Sequence, residues 1–185
     1  MITLKIKYTT TEDGLNLIKE YRKQYSSVLH YAYNRRCEGI SEKDIEHQIS
    51  SLNNISLIKS YLKRCAVKNA TQLIKDGDNK QLIFGGKKNF IDRCKGKINR
   101  DEFLNKRLSK LFIIGEANQH GNRMMFINDD LLSFTFKPTI KDRIILSIDG
   151  RYRVSLDELN HLKFSRCFSN KSKIKKILIT IHKNT

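Results

Sequence analysis

Apolar residues at the start of the chain fall on alternate positions, Ile2, Leu4, Ile6 and Tyr8. This two-residue period predicts a strand. From Leu15 the spacing becomes helical, through Ile18, Tyr21, Tyr25, Val28, Leu29 and Ala32. Thr10, Thr11 and Asp13 offer N-caps, and Gly39 is expected to stop the helix after about Arg36. Ser41, with Asp44 three residues on, fits a capping pattern for a second helix carrying Ile45, Ile49 and Leu52. Asn53-Asn54 breaks it. A third helix is expected from Ser56, through Leu57, Ile58, Tyr61, Leu62, Cys65, Ala66, Ala70, Leu73 and Ile74, ending in Asp76-Gly77-Asp78.

The pattern then changes. Leu82–Lys97 mixes a short apolar run with glycine and lysine, and Asp101–Leu108 reads as a short basic helix. Beyond it the runs have strand character. Leu111–Ile114 and Met124–Ile127 flank the polar loop Glu116–Arg123 and read together as a hairpin. Leu132, Phe134 and Phe136 alternate up to the only proline, Pro138, and Arg143–Ile148 and Ile177–His182 are further strands. Ser155–Lys163, with Glu158 at the capping-box position, reads as a helix. The order of one strand, several helices and then several strands predicts an α+β chain. Its first strand is expected to share a sheet or barrel with the last ones, with the helices inserted between. The expected boundaries are residues 1–9 and 110–185 for the β part, 10–80 for a three-helix bundle and 81–109 for a basic connector.

Charge narrows the function. The chain has 36 Lys+Arg against 19 Asp+Glu, a net charge of +17 in 185 residues. That excess implies a polyanionic partner. No apolar run reaches the roughly 20 residues of a spanning helix, and the N-terminus alternates instead of forming an apolar leader. Nucleic acid is therefore expected over membrane, in the cytoplasm. Cys37, Cys65, Cys94 and Cys167 form no CxxC pair, so free thiols are expected and no metal site.

Cleavage of a phosphodiester usually needs clustered carboxylates holding metal ions. Asp129-Asp130 and Asp149-Gly150 read as turns instead, and Asp142, Asp157 and Glu158 complete no set. Gly85-Gly86-Lys87-Lys88 lacks the spacer and hydroxyl of a phosphate-binding Walker loop. Neither a catalytic set nor a cofactor is expected. Binding signals are stronger. Gly85–Lys88 is expected to expose backbone amides beside two ammonium groups, and Arg93, Lys95 and Lys97 extend the basic face. Asn118, Gln119, Asn122 and Arg123 have the side-chain types that hydrogen-bond phosphates and base edges. Tyr31 and Tyr33 are candidates for stacking on bases, with Arg22, Arg35 and Arg36 for phosphate contacts. Tyr21 and Tyr25 lie on the core stripe. Lys59, Lys63, Arg64 and Lys68 form a basic side of the third helix.

The string FGGKKNFIDRCKGKINRDEFLNKR, followed by GEANQHGNRMMFI, resembles the N-terminal half of TnpB-like transposon proteins and the related type V CRISPR effectors. Tyr33–Ser41 and the Tyr152–Ile181 stretch extend the resemblance over most of the chain. It implies an oligonucleotide-binding-type β-barrel, the wedge, with a helical recognition lobe inserted after its first strand. It implies a structured guide-type RNA as partner, and target DNA beside it. In such complexes base pairing reads sequence while protein reads shape and backbone. The family continues into a RuvC-like nuclease that the resemblance does not reach. The expected function is therefore binding without cleavage. The alternatives are a half of a split effector that needs a nuclease-bearing partner chain, an inhibitor of a type V CRISPR effector, and a repressor. A further alternative is a plain sequence-specific DNA-binding protein reading bases with Asn69 and Gln72 of the third helix.

Overall fold

A computed structural model describes residues 8–52, 56–76, 82–114, 124–128, 133–148 and 176–179. The chain is α+β. Strand β1 (Tyr8–Thr9) is followed by helices α1 (Glu12–Cys37), α2 (Glu42–Ser50), α3 (Ser60–Asp76), α4 (Lys87–Cys94) and α5 (Arg100–Lys106). Strands β2 (Leu111–Ile114), β3 (Met125–Ile127), β4 (Ser133–Phe136), β5 (Ile144–Ile148) and β6 (Lys176–Ile179) come after them. Two compact units divide the described residues. One gathers those up to Ile18 with those of Phe112–Leu178, the other those of Lys19–Leu111 with Ile179.

In the first unit β1, β5, β4 and β3 form an open antiparallel sheet in that order. The first strand does pair with a late one, Tyr8 opposite Ile148, although the helices intervene in sequence. The register places Phe134 opposite Leu146, Phe136 opposite Ile144 and Met125 opposite Phe136. Directly paired residues share a face. The alternating apolar residues of β4 and β5 therefore line one face, where Phe136, Ile144, Leu146 and Met125 are buried. Ser133, Thr135, Ile145 and Ser147 occupy the other.

Thr135 is fully buried on that second face. Its hydroxyl donates to Asn128 Oδ1 at 2.7 Å, and Asn128 Nδ2 donates to Ser133 Oγ at 2.6 Å. One amide thus serves two hydroxyls beside the β3–β4 pair, as buried polar groups require. Asp142 is used locally: its carboxylate accepts from Thr139 Oγ1 at 2.7 Å, and its backbone N–H donates to the same hydroxyl.

The expected hairpin is not formed. Among the described residues β2 pairs with β6 in a separate two-stranded sheet, and β3 pairs with β4. Ten residues separate β2 from β3, twice the length of ordinary hairpin loops, about 2–5 residues. A connection that long does not force the strands it joins to be neighbours. No closed barrel forms among the described residues, where the larger sheet remains open. The expected helix at Ser155–Lys163 lies outside them.

In the second unit α1 carries the stripe read from its period, with Tyr21, Tyr25, Val28, Leu29 and Ala32 all buried. Thr11 caps the helix, its hydroxyl accepting from Gly14 N at 3.1 Å. Gly39, at φ +84°, closes it. Ile40 N donates to Arg35 O and Gly39 N to Arg36 O, the bond pair of a Schellman ending. Ser41 caps α2 as expected, accepting from Asp44 N. Ile45 and Ile49 of α2 join the core with Leu62, Cys65, Ala66, Val67 and Ala70 of α3.

α3 begins at Ser60, later than its apolar spacing suggests. Ile58 is buried ahead of the helix, and the backbone N–H groups of Leu57 and Ile58 both donate to Gln24 Oε1, at 2.9 and 3.3 Å. A glutamine on α1 holds this segment in a non-helical approach.

Asn128→Ala leaves the buried Thr135 hydroxyl without its acceptor. We expect a loss of about 1–3 kcal/mol of stability, read as a lower urea midpoint. Thr135→Val, which removes the hydroxyl itself, should cost less.

Candidate nucleic-acid interface

The segment 82–110 leaves α1 and returns to it. At its start Leu82 N donates to the Tyr33 hydroxyl at 2.9 Å. Phe84 packs on His30 with ring centroids 3.8 Å apart, and edge-on against Tyr33 at 5.4 Å. At its end Arg22 donates to the carbonyls of Ser109 (Nε, 3.2 Å) and Leu108 (Nη2, 3.3 Å), and Ser109 N donates to Ser26 Oγ at 2.8 Å. The segment between these anchors forms α4 and α5, in which no residue is buried. From Leu82 to Lys110 it holds nine Lys/Arg against three Asp/Glu.

Gly85 and Gly86 shape the entry into α4. Both have positive φ, +90° and +85°, a region open to glycine at little steric cost. A Cβ on Gly85 would lie 3.0 Å from Arg107 Cγ, so the turn is seated directly on the returning chain. Gly86 occupies the N-cap position of α4 and supplies no side-chain acceptor. Lys87 and Lys88 therefore lie in the first turn of a helix and not in a loop. The first turn contains no acid, whereas α1, α2 and α5 each open with acidic residues. Two cations at the positive end of a helix dipole oppose local preference, and that end favours an anion. α5 shows the ordinary solution: Asn99 and Glu102 form a reciprocal capping box. Lys87, Lys88 and Arg93 are exposed. Among the described residues the salt bridges are Lys23–Glu20 and Arg35–Glu38, so none of these three is in one.

α3 offers a second basic surface. Most of its circumference is buried, and its outward arc carries the exposed Lys68 and Lys75 with the half-buried Arg64. At 3.6 residues per turn these three fall on one stripe. Lys63 is half-buried and lies off that stripe toward the core-facing residues Val67 and Ala70. The Arg64 guanidinium sits 5.4 Å from the Tyr61 ring centroid.

Other candidates have structural work. Tyr33 is buried as the acceptor for Leu82 N, which removes it as a base-stacking surface. Tyr31 donates to Gln48 Oε1 at 2.8 Å, and Arg35 faces its ring at 5.3 Å. Arg35 also pairs with Glu38 at 2.6 Å, which raises its pKa further above the ordinary value. Arg36 donates to Ile40 O at 2.6 Å, fastening the end of α1, and Arg22 holds the 108–109 carbonyls. Asn69 donates to the Tyr25 hydroxyl at 3.2 Å, so its amide serves the helix packing. Asn118, Gln119, Asn122 and Arg123 lie outside the described residues. The arrangement of Arg22, Gln24, Ser26 and Tyr33 as anchors escaped sequence reading, because contacts spanning up to 87 positions leave no local pattern.

Cys37 and Cys94 are exposed thiols and Cys65 is a buried one. Among the described residues no three His, Cys, Asp or Glu side chains gather as a metal-binding group. No described helix is long and apolar enough to cross a membrane. No protein-family model, curated protein or solved structure matches this chain.

His30 reports on the seating of segment 82–110. Burial, and then the nearby Arg107 charge, lower its pKa to about 4, against an opposing hydrogen bond to the Arg107 backbone. The folded state thus favours the neutral ring. The resulting stability is complete above pH 6.5 and declines as pH falls toward 4. With allowance for solvent screening, protonation should cost about 1 kcal/mol between pH 7 and 5. His30→Phe keeps a ring against Phe84 and should remove that part of the acid sensitivity, measured as the difference between urea midpoints at the two pH values. An equal difference in both proteins would show that His30 contributes nothing.

Proposed function

We propose that this chain is a non-catalytic nucleic-acid-binding protein that holds structured RNA by its phosphates, with segment 82–110 as the principal contact. The observation that carries this reading is an exposed, acid-poor cationic excursion pinned to α1 at both ends. Pinning lowers the ordering cost of binding, because the cations are already presented on short helices. Lys87 and Lys88 at the uncapped start of α4, with Arg93 a turn and a half further on, are assigned to backbone phosphates. Arg64, Lys68 and Lys75 of α3 supply a further basic track.

The resemblance of Phe84–Arg107 and Gly115–Ile127 to TnpB-like and type V effector proteins supports RNA as the polyanion. On that reading the RNA is a guide-type scaffold, and Asn118, Gln119, Asn122 and Arg123 make closer contacts to it. The strands then belong to a wedge-type, oligonucleotide-binding barrel, and the protein acts in the cytoplasm. Helix reading of duplex DNA is less well supported, because Asn69 is engaged with Tyr25.

Replacing Lys87, Lys88 and Arg93 together by alanine should flatten the log–log salt dependence of binding to an RNA hairpin by about 2–3, if each neutralises one phosphate. Fluorescence anisotropy across a salt series measures the slope. An unchanged slope would remove these residues from the phosphate contact.

A further inference from the structure

Segment 82–110 exposes apolar surface as well as charge. Phe90 is 46% exposed, Ile91 38% and Leu104 43%. α4 and α5 have no buried member, so these side chains do not build a core. Phe90 leaves nearly half of its surface to solvent. The Phe103 ring on α5 has its centroid 6.3 Å from that of Phe90 and its plane inclined by 52°. Phe103 is in turn faced by the Arg107 guanidinium at 5.6 Å, so the supporting ring is held in place. Phe90 is also flanked by charge. Lys87 precedes it by three residues and Arg93 follows it by three, spacings that make helix-surface neighbours. Both are exposed and in no salt bridge among the described residues.

A duplex phosphate track has no use for a half-exposed phenyl ring. A strand with unpaired bases does: the base stacks on the ring while the adjacent phosphates meet the two cations. An apolar protein segment could cover the same face. The surrounding excess of nine basic over three acidic residues favours a polyanion instead.

We infer that Phe90 is a stacking platform for an unpaired nucleotide, flanked by Lys87 and Arg93, so that α4 recognises single-stranded or looped RNA in preference to uninterrupted duplex. The inference rests on the nucleic-acid reading above and adds to it the class of RNA.

The test uses the full chain and two labelled probes, a uridine-rich single strand of about 15 nucleotides and a blunt RNA duplex of about 15 base pairs, lengths that such surfaces cover. Phe90→Leu keeps an apolar residue at an exposed position, so the fold should survive, as circular dichroism would verify. It should weaken single-strand binding on the order of 5- to 100-fold. Duplex binding should stay within about twofold, and the salt slope should not change, because no charge is removed. Phe90→Tyr should restore single-strand affinity. Equal losses on both probes, or none on either, overturn the inference, and an apolar protein partner then becomes the occupant of this face. Failure of the unaltered protein to bind either probe overturns the nucleic-acid reading itself, a result distinct from equal losses, or none, in Phe90→Leu.

Discussion

Helix α1 satisfies backbone groups that other segments cannot satisfy for themselves. Gln24 accepts from Leu57 and Ile58, Ser26 from Ser109, and Tyr33 from Leu82. Arg22 donates to the carbonyls of Leu108 and Ser109, and Arg36 to that of Ile40. An irregular segment packed against a core must find partners for its N–H and C=O groups, because each one left unpaired costs about 1–3 kcal/mol. The apolar stripe of α1 makes the core, and the polar side chains along its edges decide where the chain leaves and rejoins it. Those bonds fix the two ends of segment 82–110 and therefore where its cations stand.

Between those anchors α4 departs from the pattern that α2 and α5 follow. α2 opens on a serine cap and α5 on a capping box, each with acidic residues in the first turn. α4 opens on a glycine and two lysines and buries nothing. α3 likewise opens without an acid, but its residues build the core, whereas α4 combines that local conflict with exposure. Conflict at an exposed element points to a role other than stability. A phosphate would relieve both halves of that conflict, bonding the free amides of the first turn and neutralising the lysines. In a chain of net charge +17, binding a polyanion also offsets self-repulsion.

Sequence and structure agree where a signal is local and periodic. The buried stripe of α1, the Ser41 cap and the core-facing alternation of β4 and β5 all depend on residues within a turn or a strand of each other. The Leu111–Ile114 and Met124–Ile127 runs have strand character, but their partners were not legible. Pairing across a ten-residue connection depends on β4 and β6, which the local pattern does not contain. The start of α4 is not legible at Gly85–Lys88, because two glycines and a missing acid hide it. Tyr33 and Arg36 look like exposed binding residues from their spacing, yet each bonds a backbone group, at Leu82 and Ile40. Side chains of one type can hold RNA or hold the chain, and only the partner they meet decides.

If the basic surface of segment 82–110 serves RNA, the protein should carry its RNA through purification. The most direct measurement is to purify the protein from its native host under mild salt and sequence the nucleic acid that accompanies it, with and without prior ribonuclease treatment. The expected result is one small, defined RNA with a folded scaffold and unpaired segments, recovered in near-stoichiometric amount. Protein recovered without nucleic acid, or with an unselected sample of cellular RNA or DNA, would contradict it.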